Sequence, residues 1–374
     1  MIVKGAKTFN RKIANILIIQ LGDIGDVVWS TPTFKAVKDA YPQAKISVLL
    51  RDGFGSLLEA NRLIDGLFEV KRYRGNIFQR ARKQVTFIRG IRRERFDVVF
   101  DLRLDDRGAY LTFFSGAPIR ISARHPTMVW RNRLFTHLVD PTVPEEKEHG
   151  AAEQSLRLVK AFGIVSSDTK PRLWIKDGTI ARVRRILDRE GISEIERWIS
   201  LNPFSRWSYK EWGYDNWGKI VDWIWVKYKI PTVIVGSSVE REKADHIKRM
   251  CSGRVFNLTG KTTLDELVGL LSLSYFHMGV DSAAPHIAAA VGTPTITIYG
   301  PTNWREWSPQ GDIHSVITPS DYSCAPCYQK GCDGKGRSRC LEELKVEKVS
   351  KAIENFIDDT TKHLKQLEKR ESSV

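Results

Sequence analysis

Short apolar runs alternate along this chain with longer amphipathic segments. The runs are typical of buried strands and the longer segments of helices. Alternation of the two indicates a parallel sheet with helices on both faces. In the first half, the predicted strands are 13–20, 45–50, 67–71 and 96–102, with another ending near 121, and the predicted helices are 26–40, 54–61, the basic segment 71–95 and 150–162.

The second half repeats this pattern after a looser connection at 164–172, which we take as a domain boundary. The expected fold is therefore α/β, with two doubly wound domains at 1–170 and 171–345. A final helix near 346–367, within the segment 346–374, is expected to pack back across the first domain. The predicted strands of this half are 199–203, 231–236, 255–258, 275–280 and 295–299, and the predicted helices are 214–228, 239–251, 264–272 and 283–291.

Composition narrows the class of protein. The chain has 374 residues, 42% hydrophobic and 28% charged, as a soluble protein with two cores would have. Its apolar runs are strand-sized, and none approaches a membrane span. The apolar segment after the basic N-terminus is interrupted by Asn15 and Gln20 and leads into a Gly-Asp turn. No signal peptide is predicted, so we expect a cytoplasmic location.

The positive charge is concentrated in one segment. The net charge is +15, and residues 71–95 hold ten Lys or Arg against one Glu, with isoleucine, phenylalanine and valine among them. One interpretation is a solvated helix face, and the other is an amphipathic surface helix that meets lipid headgroups, phosphorylated sugars or nucleic acid. No helix-turn-helix, RNP or zinc-finger pattern accompanies it, which argues against a nucleic-acid-binding protein.

The stretch 279–301, GVDSAAPHIAAAVGTPTITIYGP, reads as strand, turn, helix and strand. Asp281 and Ser282 are favoured N-cap residues, and Gly292 ends the helix that follows. The free N–H groups and the positive end of that helix would suit a phosphate. The alternative is an ordinary strand-to-helix joint whose cap serves only the helix.

The loop after the first strand, LGDIGDVVWSTP, occupies the equivalent place in the first half. It lacks the G-x-G-x-x-G fingerprint, which removes the main support for a nicotinamide dehydrogenase. Asp23 is interpreted as a helix cap. Asp26 is a candidate general base for an attacking hydroxyl, because its carboxylate would lie at the carboxyl edge of the sheet. Gly22 and Gly25 permit tight turns and a close approach of the backbone.

The cysteines leave two interpretations open. Four of them follow a C-x2-C-x4-C-x7-C spacing, which in a cytosolic chain favours a structural zinc or iron-sulfur site before a disulfide pair. The fifth, Cys251, is interpreted as a core residue. The clustered cysteines are Cys324, Cys327, Cys332 and Cys340.

Three separated segments carry a family resemblance: IGDVVWSTPTFKAVKDAYPQAKISVL, NPFSRWSYKEW and GVDSAAPHIAAAVGTPTITIYGPT. On these the chain resembles the heptosyltransferase family of bacterial lipopolysaccharide assembly. Those proteins are inverting glycosyltransferases with two Rossmann-like domains facing a central cleft, the arrangement called GT-B. The resemblance covers most of the chain. Similar cysteine-bearing loops occur in the family without an assigned metal, so the resemblance implies neither a metal nor a cofactor.

The resemblance also implies roles for individual residues. The family's catalytic aspartate falls on Asp26, and its phosphate-contacting lysine falls on Lys210. Its ribose-binding acidic residue falls on Glu240 or Glu242, between which the sequence does not decide. The family's nucleotide-phosphate turn falls on Asp281, Ser282 and His286.

Transfer from a nucleoside diphosphate sugar explains these residue types. A base must take the proton of the acceptor hydroxyl, and positive charge must hold the departing diphosphate without a divalent cation. Lys210 and the N–H groups of 282–284 are candidates for the second task, whereas His286 either reaches phosphate or packs. The family turn usually carries glycine where this chain has Ala283 and Ala284, which modifies how closely phosphate approaches. Further loop candidates are Gly25, Ser205 and Arg206.

The expected function is transfer of heptose, with inversion, from ADP-heptose to the lipopolysaccharide inner core. The expected acceptor is an anionic lipopolysaccharide precursor, and the expected location is the cytoplasmic face of the inner membrane, with peripheral contact and no nucleic acid. Two alternatives stay open. One is a glycosyltransferase of this fold that uses another nucleotide sugar, and the other is a non-catalytic binding protein of this fold.

Overall fold

A computed structural model describes residues 2–3, 8–9, 11–140, 150–192 and 197–371, with the side chains of position 333 and of 361–371 left undescribed. The chain divides into two compact units, Met1–Trp174 and Ile175–Val374. The division falls just after the polar connection at 164–172. Each unit contains a single parallel sheet flanked by helices.

The first unit contains a seven-stranded parallel sheet of order β1-β7-β6-β5-β2-β3-β4. Its central strands are apolar and fully buried, as parallel strands covered on both faces must be. The strand order reverses between β2 and β5, which form the switch point of this sheet. The strands are β1 (Ile2–Val3), β2 (Asn15–Ile19), β3 (Lys45–Arg51), β4 (Gly66–Val70), β5 (Val98–Asp101), β6 (Ile119–Ala123) and β7 (His137–Val139).

The helices of the first unit connect these strands. A helix predicted at 26–40 is split at Ser30, because Pro32 has no N–H to continue α1 and lies in the first turn of a new helix that begins at Thr31. The helix predicted at 54–61 is a 3-10 turn at Gly55–Leu57. The helices are α1 (Ile24–Trp29), α2 (Thr31–Ala40), α3 (Ile77–Arg93), α4 (Asp106–Phe114), α5 (Val129–Asn132) and α6 (Glu153–Lys160).

The second unit contains a six-stranded parallel sheet of order β10-β9-β8-β11-β12-β13. Here the order reverses between β8 and β11, so the two sheets have their switch points at equivalent strands. This confirms the prediction of two Rossmann-like, doubly wound α/β units. The strands are β8 (Ile199–Asn202), β9 (Thr232–Ile234), β10 (Val255–Asn257), β11 (His277–Val280), β12 (Thr295–Ile298) and β13 (His314–Ile317).

The helices of this unit surround a mainly aliphatic core, in which Trp212 and Trp217 lie with ring centroids 5.1 Å apart. Among the described residues, no helix has both the length and the apolar character needed to cross a membrane. The helices are α7 (Thr179–Arg189), α8 (Tyr214–Tyr228), α9 (Arg241–Met250), α10 (Leu264–Leu273), α11 (Ala283–Ala290), α12 (Trp304–Trp307), α13 (Arg339–Glu342) and α14 (Val346–Glu371).

The first half of α14 packs into the core of the second unit. Val349, Ile353 and Phe356 belong to the same buried cluster as Trp212. The indole N–H of Trp212 also donates to the carbonyl of Leu344, 3.0 Å away, just before the helix. The first half of α14 is thus part of the second unit's core, and the predicted return of the helix across the first domain stays a prediction. The side chains of 361–371 lie outside the described ones.

Candidate active site

Asp26 lies at the switch point of the first sheet, in the first turn of α1. Its Oδ2 accepts a 2.7 Å hydrogen bond from the backbone N–H of Asp23, the N-cap residue. Gly22 passes so close that a Cβ there would lie 2.4 Å from the same oxygen, so only glycine fits at this position without a shift. The loop therefore holds the carboxylate in a fixed orientation. The interpretation of Asp23 as a helix cap agrees with its position.

Arg103 is the second partner of Asp26, and the sequence did not suggest it. Its guanidinium donates to Oδ1 of Asp26 at 3.0 Å, and the carboxylate is 17% exposed. Arg103 follows β5, the neighbour of β2 across the switch point. Residues after neighbouring parallel strands meet at one edge of the sheet, and that rule is the signal that could have found it.

A buried ion pair supports the segment that carries Arg103. Arg131 and Asp101 are both fully buried and lie 2.9 Å apart. Arg131 also donates to the backbone carbonyl of Arg103 at 2.7 Å, and the Arg103 N–H donates to Asp101 at 3.2 Å. These contacts fix the backbone beneath Arg103, and through it the side chain that contacts Asp26.

A second arginine pairs with Asp23, the N-cap residue of the helix that carries Asp26. Arg51, at the end of β3, contacts Asp23 with an N–O distance of 2.6 Å. Burial, together with the nearby positive charges of Arg72 and Arg51, lowers the pKa of Arg107. Arginines thus gather at the carboxyl edge that carries Asp26, where an anionic substrate would be favoured.

Lys210 and Asp281 form the corresponding feature of the second unit. Lys210 ends a 3-10 turn, Ser208–Lys210, after β8, and its Nζ lies 2.6 Å from Asp281 Oδ2 after β11. The lysine side chain is 21% exposed and the aspartate side chain 7%. Since an ammonium group has three donors, Lys210 can bond this carboxylate and a further anion together.

Ser282 is the N-cap of α11, as the sequence predicts, and Ala283 is the first residue of that helix. The Ser282 hydroxyl donates to Asn202 Oδ1 at 3.1 Å, which joins the ends of β8 and β11. Gly279 in β11 allows this approach, because a Cβ there would lie 2.4 Å from the carbonyl oxygen of Asn202. Ser205 lies in the same place and donates to the backbone carbonyl of Asp281 at 3.4 Å.

His286 is buried in α11 and is 5% exposed. Burial lowers its pKa to about 4, although the charge of Asp281 opposes the shift and that of Lys210 adds to it. The ring is therefore neutral at pH 7. A cationic contact of His286 to phosphate is therefore not supported, whereas a contact through the one N–H of the neutral ring and simple packing both stay predictions.

The remaining candidates are spread along the edges of the sheets. Glu240 follows β9 and accepts from the Ser237 N–H at 2.6 Å, whereas Glu242 is exposed in the first turn of α9. The structure places Glu240 nearer the end of the strand. Arg206 is exposed, with its guanidinium 5.2 Å from the Trp207 ring centroid. Gly25 lies within α1.

Cys324 and Cys327 lie in a loop, Cys332 begins a 3-10 turn, and Cys340 lies in α13. Cys340 is buried and Cys324 is exposed. Burial raises the pKa of Cys340 to about 11, and the nearby cysteines add to that shift. Within the described part of the chain, no three His, Cys, Asp or Glu side chains are grouped so that they could hold a metal ion. The metal interpretation gains no support from this geometry. Cys251 ends α9 and is only half-buried against the core.

Comparison with known proteins places this chain in a family. Lipopolysaccharide heptosyltransferase 3 of Escherichia coli strain K12 is 28% identical over 292 residues, which cover 76% of this chain and 83% of that protein. The solved structure of E. coli ADP-heptose lps heptosyltransferase II matches with a TM-score of 0.72 at 19% identity, covering 91% of this chain and 98% of that one.

A further solved structure, E. coli heptosyltransferase WaaC with ADP-2-deoxy-2-fluoro heptose, matches with a TM-score of 0.67 at 19% identity, covering 91% of this chain and 99% of that one. At that identity these two structures establish the fold. The family model described as glycosyltransferase family 9 (heptosyltransferase) matches residues 84–337, more than half of the chain. The chain therefore belongs to glycosyltransferase family 9, the heptosyltransferase family.

Proposed function

We propose that this protein transfers a heptose from ADP-heptose to the inner core of lipopolysaccharide, with inversion at the anomeric carbon. The observation that carries the proposal is the set of side chains found at the switch points of the two sheets in this family 9 chain. One holds a carboxylate oriented by an arginine, Asp26 with Arg103, and the other holds a lysine beside a helix N-terminus, Lys210 with Ser282.

The second unit supplies the donor site in this proposal. The diphosphate of ADP-heptose accepts hydrogen bonds from Lys210 and from the free N–H groups at the start of α11. These donors stabilise the negative charge that develops on the leaving diphosphate. That stabilisation allows transfer without a divalent cation. Glu240, after β9, is the preferred candidate for the ribose, with Glu242 as the other candidate.

The first unit supplies the base. Asp26 accepts the proton of the acceptor hydroxyl while its oxygen forms a bond to the anomeric carbon and the bond from that carbon to the diphosphate oxygen breaks. Attack from the face opposite the leaving group inverts the configuration. Arg103 orients the carboxylate, and Arg51 pairs with Asp23 at the start of the same helix. The products are the extended core and ADP.

The acceptor in this proposal is a phosphorylated, acidic glycolipid precursor. The gathering of arginines near Asp26 supports an anionic acceptor, and the basic segment 71–95 belongs to the same unit. We place the protein at the cytoplasmic face of the inner membrane, in peripheral contact with it, where such a precursor would be reached.

A panel of nucleotide sugars with a de-acylated core acceptor tests the proposal. ADP-heptose is expected to give ADP release and an extended acceptor, in the presence of EDTA as well as in its absence. Asp26→Asn is expected to abolish transfer while ADP binding stays near the wild-type value. If turnover occurred only with another nucleotide sugar, the alternative donor would be supported. Ala283 and Ala284, where the family turn usually has glycine, are the reason for testing that alternative. If Asp26→Asn retained turnover, Asp26 would not be the base.

A further inference from the structure

Helix α3 (Ile77–Arg93) extends away from the core of the first unit. Every residue from 74 to 83 is exposed, and Ile91, near the opposite end, is the one buried residue of the helix. Only the second half is anchored, since Ile91 belongs to a core cluster with Leu17 and Phe96, against which Phe87 also packs. Among the described residues, the first half is thus an exposed helical surface that buries no side chain in the core of its unit.

This exposed half carries large apolar side chains. Phe78 is 82% exposed, Ile77 74% and Val85 45%. Ile77, Ala81 and Val85 are spaced four residues apart, which places them in one stripe along the helix. Phe78, 82% exposed beside this stripe, neither favours solubility nor contributes to the packing of the core. Its position indicates a surface that is covered by something apolar.

Basic residues border the apolar stripe. Arg82, Arg89 and Arg93 lie together on one side of it at helical spacing, and Arg80 and Lys83 lie on the other side. No acidic residue occurs in the helix, whose first acidic neighbour is Glu94 at the C-cap. An apolar stripe flanked by cations is the pattern of helices that lie in the interface of an anionic bilayer.

Other occupants fit this surface less well. Nucleic acid would match the charge but would leave Phe78 and Ile77 in water. A second copy of the chain packed through a two-fold axis would bring the same arginines of both copies together, and the repulsion would oppose association. A bilayer with anionic headgroups satisfies both the apolar stripe and its basic borders.

The position of α3 in the fold adds a functional consequence. The helix connects β4 to β5 in a parallel sheet, so it begins at the carboxyl edge of that sheet, where Asp26 also lies. Leu104 and Val129, 40% and 61% exposed, follow β5 and β6 at the same edge. A surface bound through the start of α3 would therefore face the edge that carries the candidate base.

We propose that the first half of α3 binds an anionic lipid bilayer. Phe78 and Ile77 insert at the boundary between headgroups and acyl chains, and the bordering arginines contact lipid phosphates. Binding holds the carboxyl edge of the first sheet close to a lipid-anchored acceptor. This last consequence rests on the proposed function, whereas bilayer binding itself does not.

Flotation with phosphatidylcholine vesicles, with and without phosphatidylglycerol, tests the apolar part. The full chain is expected to float with the anionic vesicles and to be released by high salt. Phe78→Ser should weaken binding about tenfold, because one phenylalanine no longer leaves water. Val226→Ser, at a 65% exposed valine of α8, is the matched control and should bind as wild type. Equal binding by the Phe78→Ser variant would overturn the proposal.

The charged border of the first half is tested by replacing Arg80, Arg82 and Lys83 with glutamine together. Binding to anionic vesicles should fall about 100-fold, at about fivefold for each cation removed. The control replaces three exposed arginines of α7 in the same way. An equal loss in that control would assign the attraction to net charge and overturn a site on α3. The proposal would also be overturned, in favour of self-association, if the wild-type chain formed a dimer without lipid and Phe78→Ser abolished that dimer. The control arginines are Arg184, Arg185 and Arg189.

An activity ratio separates this inference from the proposed function. The ratio is the transfer rate with an acceptor embedded in anionic vesicles divided by the rate with a de-acylated acceptor. This ratio should be about tenfold lower for Phe78→Ser than for wild type. An unchanged ratio would remove the link between α3 and the acceptor. Vesicle binding without any transfer to either acceptor would reject the proposed function and leave bilayer binding by α3 supported.

Discussion

Arg103 positions the carboxylate of Asp26. Its contact with Asp26 uses one carboxylate oxygen, and the Asp23 N–H uses the other. Both contacts come from groups whose backbone is fixed, by the α1 cap on one side and by Arg131 on the other. The base is thus oriented before the substrate arrives, which lowers the entropy that the reaction must lose at the transition state.

Arg103→Ala should lower kcat for transfer about 10- to 100-fold, because the carboxylate loses the group that orients it. KM for ADP-heptose should change little, since the donor site in our proposal belongs to the second unit. Steady-state kinetics with the de-acylated acceptor measures both constants. Arg124→Ala, an exposed arginine that follows β6 at the same edge of the sheet, is the control. A rise in KM for the donor with kcat unchanged would contradict the positioning role.

Lys210 serves both the fold and the donor in our proposal. Lys210→Ala should weaken ADP binding about tenfold or more, since a hydrogen bond to a charged group is lost. It should also lower the melting temperature, because Asp281, 7% exposed, loses its ion-pair partner. Calorimetric titration with ADP and thermal unfolding measure the two effects separately.

Lys261→Ala provides the control for Lys210→Ala, as Lys261 pairs with Glu190 in the same unit at 2.6 Å but at a more exposed position. Its ADP affinity and melting temperature should remain close to those of wild type, because exposed ion pairs contribute little. Wild-type ADP affinity in Lys210→Ala would remove the lysine from the phosphate site.

At the scale of elements, α14 belongs energetically to the second unit. Phe356 is 7% exposed and lies edge-on against the fully buried Phe276, with ring centroids 5.3 Å apart. Phe356→Ala should reduce the free energy of unfolding of that unit by about 3–5 kcal/mol, through lost burial and a cavity. Asn355→Ala, at the neighbouring exposed position, should change it by less than about 0.5 kcal/mol.

Urea unfolding followed by tryptophan fluorescence measures this difference, because Trp212 and Trp217 lie in the same cluster as Phe356. If the two variants unfolded at the same urea concentration, α14 would contribute nothing to this core. The comparison also bears on the expectation that the helix serves the first domain.

The elements predicted from the sequence are those with a strong local pattern. Apolar runs such as 45–50 and 295–299 match β3 and β12, and both helix caps at Asp23 and Ser282 lie where the residue types indicated. The short strands β7 and β13 and the helix α7 were missed. The two strands have three and four residues, too few for a periodic signal.

The site was predictable only where its chemistry is local. Asp26, Lys210 and Ser282 stand in motifs that can be read from a few adjacent residues. Arg103 is 77 positions from Asp26 in sequence, and only the strand order joins them. The neutral state of His286 likewise depends on burial, which the residue type alone does not reveal.

For the molecule as a whole, buried histidines of the second unit make stability depend on acid. Among the described side chains of the second unit, His277 in β11 and His286 in α11 are buried. Burial lowers the pKa of His277 to about 3, with the nearby His286 adding to the shift. Its Nδ1 lies 2.9 Å from the Ser200 hydroxyl, whereas Nε2 has no hydrogen-bond partner among the described residues. Among the described residues, no carboxylate opposes this lowering of the pKa of His277.

Acid should therefore destabilise the protein through His277 well above the pKa of the folded state. The unfolded chain takes up the proton near pH 6.5 and the folded chain only near pH 3, so the unfolded state binds more protons between these values. The free energy of unfolding must fall as the pH is lowered through that window, by about 2 kcal/mol from this residue at pH 5. Urea unfolding at pH 7.5 and pH 5 should show a smaller loss in His277→Gln than in wild type, whatever the absolute stability of the variant. Asn355→Ala, which removes no titratable group, should keep the wild-type pH dependence, and an identical dependence in His277→Gln would show that this histidine is already able to bind a proton in the folded state.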